Sequence, residues 1–432
     1  MLRKALLIVV VLAMMTLMFG CTDRGVTSVD DKYSRGATYT DQHTFPDQLG
    51  QSMFSGVALT TLLRFRVFVP SIYGGQNSGE PLPVLYLLSP MGQDEFFYLD
   101  HGLEDVAAKL IADGTIKPMI IVCVNGSNGY GGSFYGSNPA GGKYDELIGA
   151  KIGDAINGTL IKYVDGYYNT DTLRSGRAIS GVEMGGYGAM RIALKYSPNF
   201  SSASAVSGPL DFDGADGTGG FIPLFEEVIV NARSAALITA DSIIHFRDSV
   251  RIEDSITIPI DSAFIRDSVR SMVYTSIDTS YARPRQTMFF AAAASFSPHD
   301  TGTVGDGIVI TDSTTFFNPE GIIKLHLPFD STGAPYTPIW NLWLANNLQS
   351  LIPLYPNSLD SVPLMLLASP QADYGFYQQT ASFRTTLQGL SNVNVSYEEY
   401  TGYSGYPADN HHFVYDLLPK ILKFHSDHFE GL

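Results

Sequence analysis

The sequence predicts an α/β layered fold: a mostly parallel central sheet with helices on both faces. Three observations carry this. Short apolar runs recur along the chain. They are continuous rather than alternating, so both faces of each run are buried, as in parallel strands. Amphipathic stretches separate them, and strands alternating with helices build a layered sheet.

The elements follow in order. "LLRFRVFVP" (62–70) alternates and reads as a strand. "PVLYLLS" (83–89) is an apolar run bounded by proline and a turn. "MIIVCVNG" (119–126), "RAISG" (177–181), "SASAVSG" (202–208) and "VPLMLLAS" (362–369) have the same character. Between them, helical periodicity covers 102–114, 146–164, 186–197 and 376–390. Residues 209–286 break the pattern. RDSVR occurs there twice, at 247–251 and 266–270. Asp-Ser pairs favour turns, and the β-branched residues between them favour strands. A β-rich insertion or lid is expected over 209–286, between core segments 51–208 and 287–432; a surface excursion is the other reading.

Composition narrows the function. Hydrophobic residues make up 45% of the 432 residues and aromatics 12%, enough for a large core. Net charge is −16, from 27 basic and 43 acidic side chains. That argues against nucleic-acid partners and against docking on anionic lipid. The start, "MLRKALLIVVVLAMMTLMFGC", has a basic end, an apolar run and a small residue before cysteine, as secretory signals do. Its "LMFGC" ending resembles the lipobox of bacterial lipoproteins. This implies a signal peptide over 1–20, a diacylated Cys21, and an exported protein anchored in the bilayer of a cell envelope. An uncleaved membrane anchor is the alternative. Residues 21–50 are polar and unperiodic and read as a tether. With Cys21 lipidated, Cys123 is left alone in an apolar strand, as a core thiol.

The chemistry concentrates in "RAISGVEMGGYGAM" (177–190). An apolar strand ends in a glycine-punctuated turn and opens a helix, the build of a nucleophile elbow. Its apex is Glu183. Ser180 lies in the strand before the turn, where it cannot substitute.

"LPVLYLLSPMGQDEFF", "GGSFYGSNPAGGKYDELI", "RAISGVEMGGYGAMRIALKYSPNFSSASAVSG", "FSPHD", "LPFDSTGAPYTPIWNLWLANN" and "ADYGFYQQTASF" together resemble the esterase family of α/β-hydrolases. That family includes S-formylglutathione hydrolases (esterase D), feruloyl esterases and mycolyltransferases. The resemblance implies an α/β-hydrolase fold and a serine–histidine–aspartate triad with an oxyanion hole. It places the nucleophile at Glu183, where a serine is usual. Met184 and Met91 fall at the oxyanion positions, although Pro90 removes one N–H from that loop. The acid falls at Asp373 or Ala372, and the base at His411 or His412.

Glu183 reaches about 2–2.5 Å further than a serine would, from ordinary bond lengths. Its carboxylate is expected to turn toward the amides of the elbow helix, where the dipole offers about 0.3–2 kcal/mol, and to fill the oxyanion hole. A carboxylate nucleophile would form an anhydride with an ester; general-base use is the other catalytic option. The expectation is therefore a lipid-anchored esterase homologue with impaired hydrolysis, acting by binding an ester, a carbohydrate or a partner. An active carboxylic-ester hydrolase with altered machinery is the alternative. No motif asks for a cofactor or metal: "DFDGADG" (211–217) lacks a calcium loop's spacing and reads as a hydrogen-bonded turn. The aromatic pieces at 132–137, 338–344 and 397–406 read as core, or as the wall of a sugar or aryl pocket.

Overall fold

The computed structural model describes residues 38–45, 51–54, 57–60, 63–74, 79–127, 132–138, 142–150, 159–214, 219–225, 284–297, 309–312, 323–329, 333–370, 375–401 and 413–430. Eight strands form the main sheet: β1 Thr38–Phe45, β2 Leu63–Pro70, β3 Val84–Leu88, β4 Ile120–Val124, β5 Arg177–Val182, β6 Ser202–Val206, β7 Leu364–Ala368 and β8 Val395–Glu399. Their order across the sheet is β1-β2-β4-β3-β5-β6-β7-β8. From β4 to β8 every neighbour is parallel; β2 runs antiparallel to both β1 and β4.

Both faces are covered, as the continuous apolar runs require. In β3, β4, β5, β6 and β7 every side chain is buried. Successive residues feed opposite cores. Ile179, Ala203 and Ala205 face a core built with α2 (Tyr144–Gly149), α3 (Leu160–Tyr167), α4 (Met184–Lys195), α5 (Pro284–Phe296), α6 (Thr337–Leu344) and α7 (Phe376–Gln388). Ala178, Val182 and Val206 face a second core built with α1 (Leu103–Ala112) and α8 (Val414–Asp427). This is the α/β-hydrolase fold.

Three details depart from the sequence-based reading. The polar stretch expected as tether contains β1. "TYTDQHTF" carries enough β-branched and aromatic residues for an outer strand, and its backbone pairs with β2 over the full length. The helix expected over 146–164 is found as α2 and α3, with 151–158 outside the described residues. Of the expected insertion, Leu210, Phe212, Phe221 and Phe225 are buried in the first core; 226–283 lies outside the described residues. Trp340, Trp343, Phe134 and Tyr135 are buried as well, so the aromatic pieces at 132–137 and 338–344 are core. No described helix is long and apolar enough to cross a membrane.

Candidate active site

The elbow stands where β5 meets α4. Glu183 holds φ 49 and ψ −116, a backbone state that side-chain-bearing residues rarely adopt. Two hydrogen bonds clamp it: its N–H donates to Val206 O at 2.8 Å, and its carbonyl accepts from Tyr187 N at 3.0 Å. Two glycines make the bend sterically possible. A Cβ on Gly181 would lie 2.2 Å from the Gly185 carbonyl, and one on Gly185 would lie 2.1 Å from Leu88 O. Strand, turn and helix therefore touch backbone to backbone, and only glycine fits.

The Glu183 side chain is buried, with 6% of its surface exposed. Its carboxylate does not cap α4, since no side-chain hydrogen bond reaches the first-turn amides. The reason is geometric. A capping side chain needs an extended backbone at the N-cap, and φ 49 with ψ −116 is not extended.

The two residues expected to supply oxyanion donors are brought together. Met184 is the first residue of α4, where an N–H has no acceptor within the helix. Met91 sits in a tight turn closed by Gln93 N donating to Pro90 O at 3.3 Å, with Gly92 at φ 72. Their side chains meet at Gly132: a Cβ there would lie 2.5 Å from Met184 Sδ and 3.3 Å from Met91 Cγ.

Sequence reasoning missed the residue that holds this pair. Tyr135 is fully buried and takes a φ of 45. Its hydroxyl donates to Ser89 O at 3.0 Å and lies 3.2 Å from Val124 O. Its ring fills the space over Gly188 of α4 and over Gly126. One phenol thus spaces the Met91 turn from the elbow helix. Ser89 Oγ adds a bond from Gly126 N at 3.2 Å. The only sign in the sequence was "SFYG", whose Phe134 and Tyr135 both need positive φ.

Asp373 and Ala372, and His411 and His412, lie outside the described residues, as does Cys21. The chain on either side of the histidines is anchored close to the elbow. Phe413 packs on Tyr400 with ring centres 5.8 Å apart, and Tyr400 hydroxyl meets Ser207 Oγ at 2.9 Å. Ser207 precedes Gly208, whose added Cβ would lie 3.3 Å from Glu183 O. Asp211 of the expected turn accepts from Asn347 Nδ2 at 3.1 Å and Ser382 Oγ at 2.5 Å. Among the described residues no group of three or more His, Cys, Asp and Glu gathers as a metal site. Cys123 is buried, and burial pushes its thiol well above the usual range, so it is no nucleophile.

A parallel sheet whose fifth strand ends in this bend defines a hydrolase-type scaffold with a carboxylate at the apex. The chain belongs to the esterase family: the family model described as "Putative esterase" matches residues 56–275. Two esterases of Mycobacterium tuberculosis, from strains CDC 1551 and H37Rv, are each 34% identical over 146 residues. That stretch is 33% of this chain and 28% of the relative, so the match spans under a third of the relatives' length. A solved structure of a ferulic acid esterase aligns with TM-score 0.50 at 15% identity, covering 91% of this chain and 98% of its own.

Proposed function

We propose that this is a lipid-anchored, envelope-exposed member of the esterase family with impaired ester hydrolysis, acting by binding an ester or carbohydrate ligand. The observation that supports this is the Glu183 apex. A serine elbow works because a neutral hydroxyl attacks and leaves a stable ester. A carboxylate there offers only an anhydride. It also sets a negative charge beside the point where oxyanion charge must develop, and like charges about 4 Å apart repel by about 1–4 kcal/mol in surroundings from water to protein surface. The elbow, the Met91 turn and the Tyr135 wedge would still hold a carbonyl-bearing ligand. Cys21 would carry the diacylglyceryl anchor.

Membership in an esterase family favours a second reading, in which Glu183 acts as general base for an attacking water and hydrolysis persists. One assay separates the two. The purified chain is offered short-chain p-nitrophenyl esters. The binding reading expects turnover near background, unchanged in Glu183→Gln, and a gain in Glu183→Ser if the acid and base stations are in place. Turnover by the wild type that Glu183→Gln abolishes sinks the binding reading. Mass spectrometry of the membrane fraction tests the anchor: an unmodified Cys21 excludes it.

A further inference from the structure

Tyr397, the first residue of the last aromatic piece, is only half-buried, whereas Tyr400 of the same piece is buried in the second core and 402–406 lies outside the described residues. Tyr397 and Glu399 alternate onto one side of β8, and Tyr377 and Arg384 lie two turns apart on one side of α7. The four side chains meet on the surface. Tyr377 and Tyr397 hydroxyls both donate to Glu399 Oε1, at 2.8 and 3.1 Å. The Arg384 guanidinium lies over the Tyr397 ring, 4.4 Å from its centre. Arg384 has no hydrogen-bonded or ion-paired partner among the described residues, and its Nε is buried without one. Glu399 Oε2 is likewise unengaged.

An unpaired cation and an open carboxylate oxygen thus flank two tyrosine rings without closing on each other. We propose that this surface cluster on α7 and β8 binds a neutral carbohydrate, Glu399 and Arg384 grasping adjacent hydroxyls while a tyrosine ring lies against the sugar. A hydroxyl both donates and accepts, so a carboxylate oxygen beside guanidinium N–H groups matches a vicinal pair. Acidic polymers are disfavoured by Glu399 and the net charge of −16. Strand addition to β8 is disfavoured by the charges on this outer strand, where Glu398 pairs with Lys420. The inference takes its ligand class from the binding reading above, and it stands whether or not the elbow turns over esters.

The test is calorimetric titration of the full chain in detergent with xylohexaose, cellohexaose and mannohexaose. At least one should bind at millimolar concentration, and Arg384→Ala, Glu399→Ala and Tyr377→Ala should each weaken it about tenfold. All three positions are at the surface, and circular dichroism should show them folded. Binding by none of the probes overturns the proposal, as does affinity unchanged in all three variants. Self-association in sedimentation that Arg384→Ala abolishes also overturns it, by making the cluster a protein interface. Ester turnover by the wild type would end the binding reading at the elbow and leave this result untouched.

Discussion

The two faces of the sheet bury polar groups in opposite ways. On the face covered by α2 to α7 the buried cluster is charged. Asp145 of α2 accepts from Arg191 Nε at 2.8 Å and from Lys195 Nζ at 2.6 Å, both on the elbow helix. Arg191 also reaches Tyr187 hydroxyl at 3.2 Å and Asn346 Oδ1 at 3.1 Å. On the face covered by α1 and α8 the cluster is neutral. Ser204 spends its one proton on Ser180 Oγ at 2.7 Å, so it must accept from His425 Nε2 at 2.8 Å. His425 Nδ1 is then the acceptor for Ser202 hydroxyl, also at 2.8 Å. Burial, with His428 nearby, pushes this imidazole down to about 3. Both clusters brace the elbow, one through α4 and the other through β5. The charged one should be brittle to loss of a partner, and the neutral one to acid.

The sharpest way to break the comparison is Asp145→Ala. It leaves Arg191 and Lys195 as uncompensated cations in the core and should cost about 3–5 kcal/mol. A lowered urea midpoint at unchanged slope would show it; a loss under about 1 kcal/mol would mean that water reaches the cations.

Next comes pH. The His425 pKa is depressed in the folded state, so the unfolded chain binds the proton more readily. The stability it contributes is complete above an unfolded value of about 6.5 and is lost as pH falls toward about 3. Between pH 7 and pH 5 the loss should be about 2 kcal/mol. Carboxylates elsewhere add their own acid dependence, so the quantity to measure is the difference between wild type and His425→Gln. Parallel curves would refute the assignment. The smallest effect is expected from Ser202→Ala, about 1 kcal/mol, from one lost hydrogen bond in a cluster without charge. A loss as large as that of Asp145→Ala would erase the contrast between the faces.

What the sequence disclosed, and what it hid, follows from the range of the interactions. β3 to β7 were legible because strands buried on both faces are continuously apolar. The elbow was legible because its glycines fall within six residues. β8 escaped: "VSYEE" is an outer strand, half-exposed and charged, with no apolar run to mark it. α5 escaped because "FFAAAASF" is apolar without a helical stripe, which is how a helix buried all round reads. The Tyr135 wedge and the His425 cluster escaped for a different reason. Each joins residues far apart in the chain, His425 and Ser204 being 221 positions apart, and no local pattern encodes such a meeting. That Glu183 does not cap α4 depends on the ψ of its backbone, which no sequence pattern displays.

The bend at residue 183 is held by what surrounds it: two bare glycines, a carbonyl from β3 and a clamp from β6. None of these involves the apex side chain. Position 183 therefore behaves like a socket, delivering whatever it carries to one fixed point. A lineage, or an engineer, can exchange the reactive group by a single replacement while the walls stay standing.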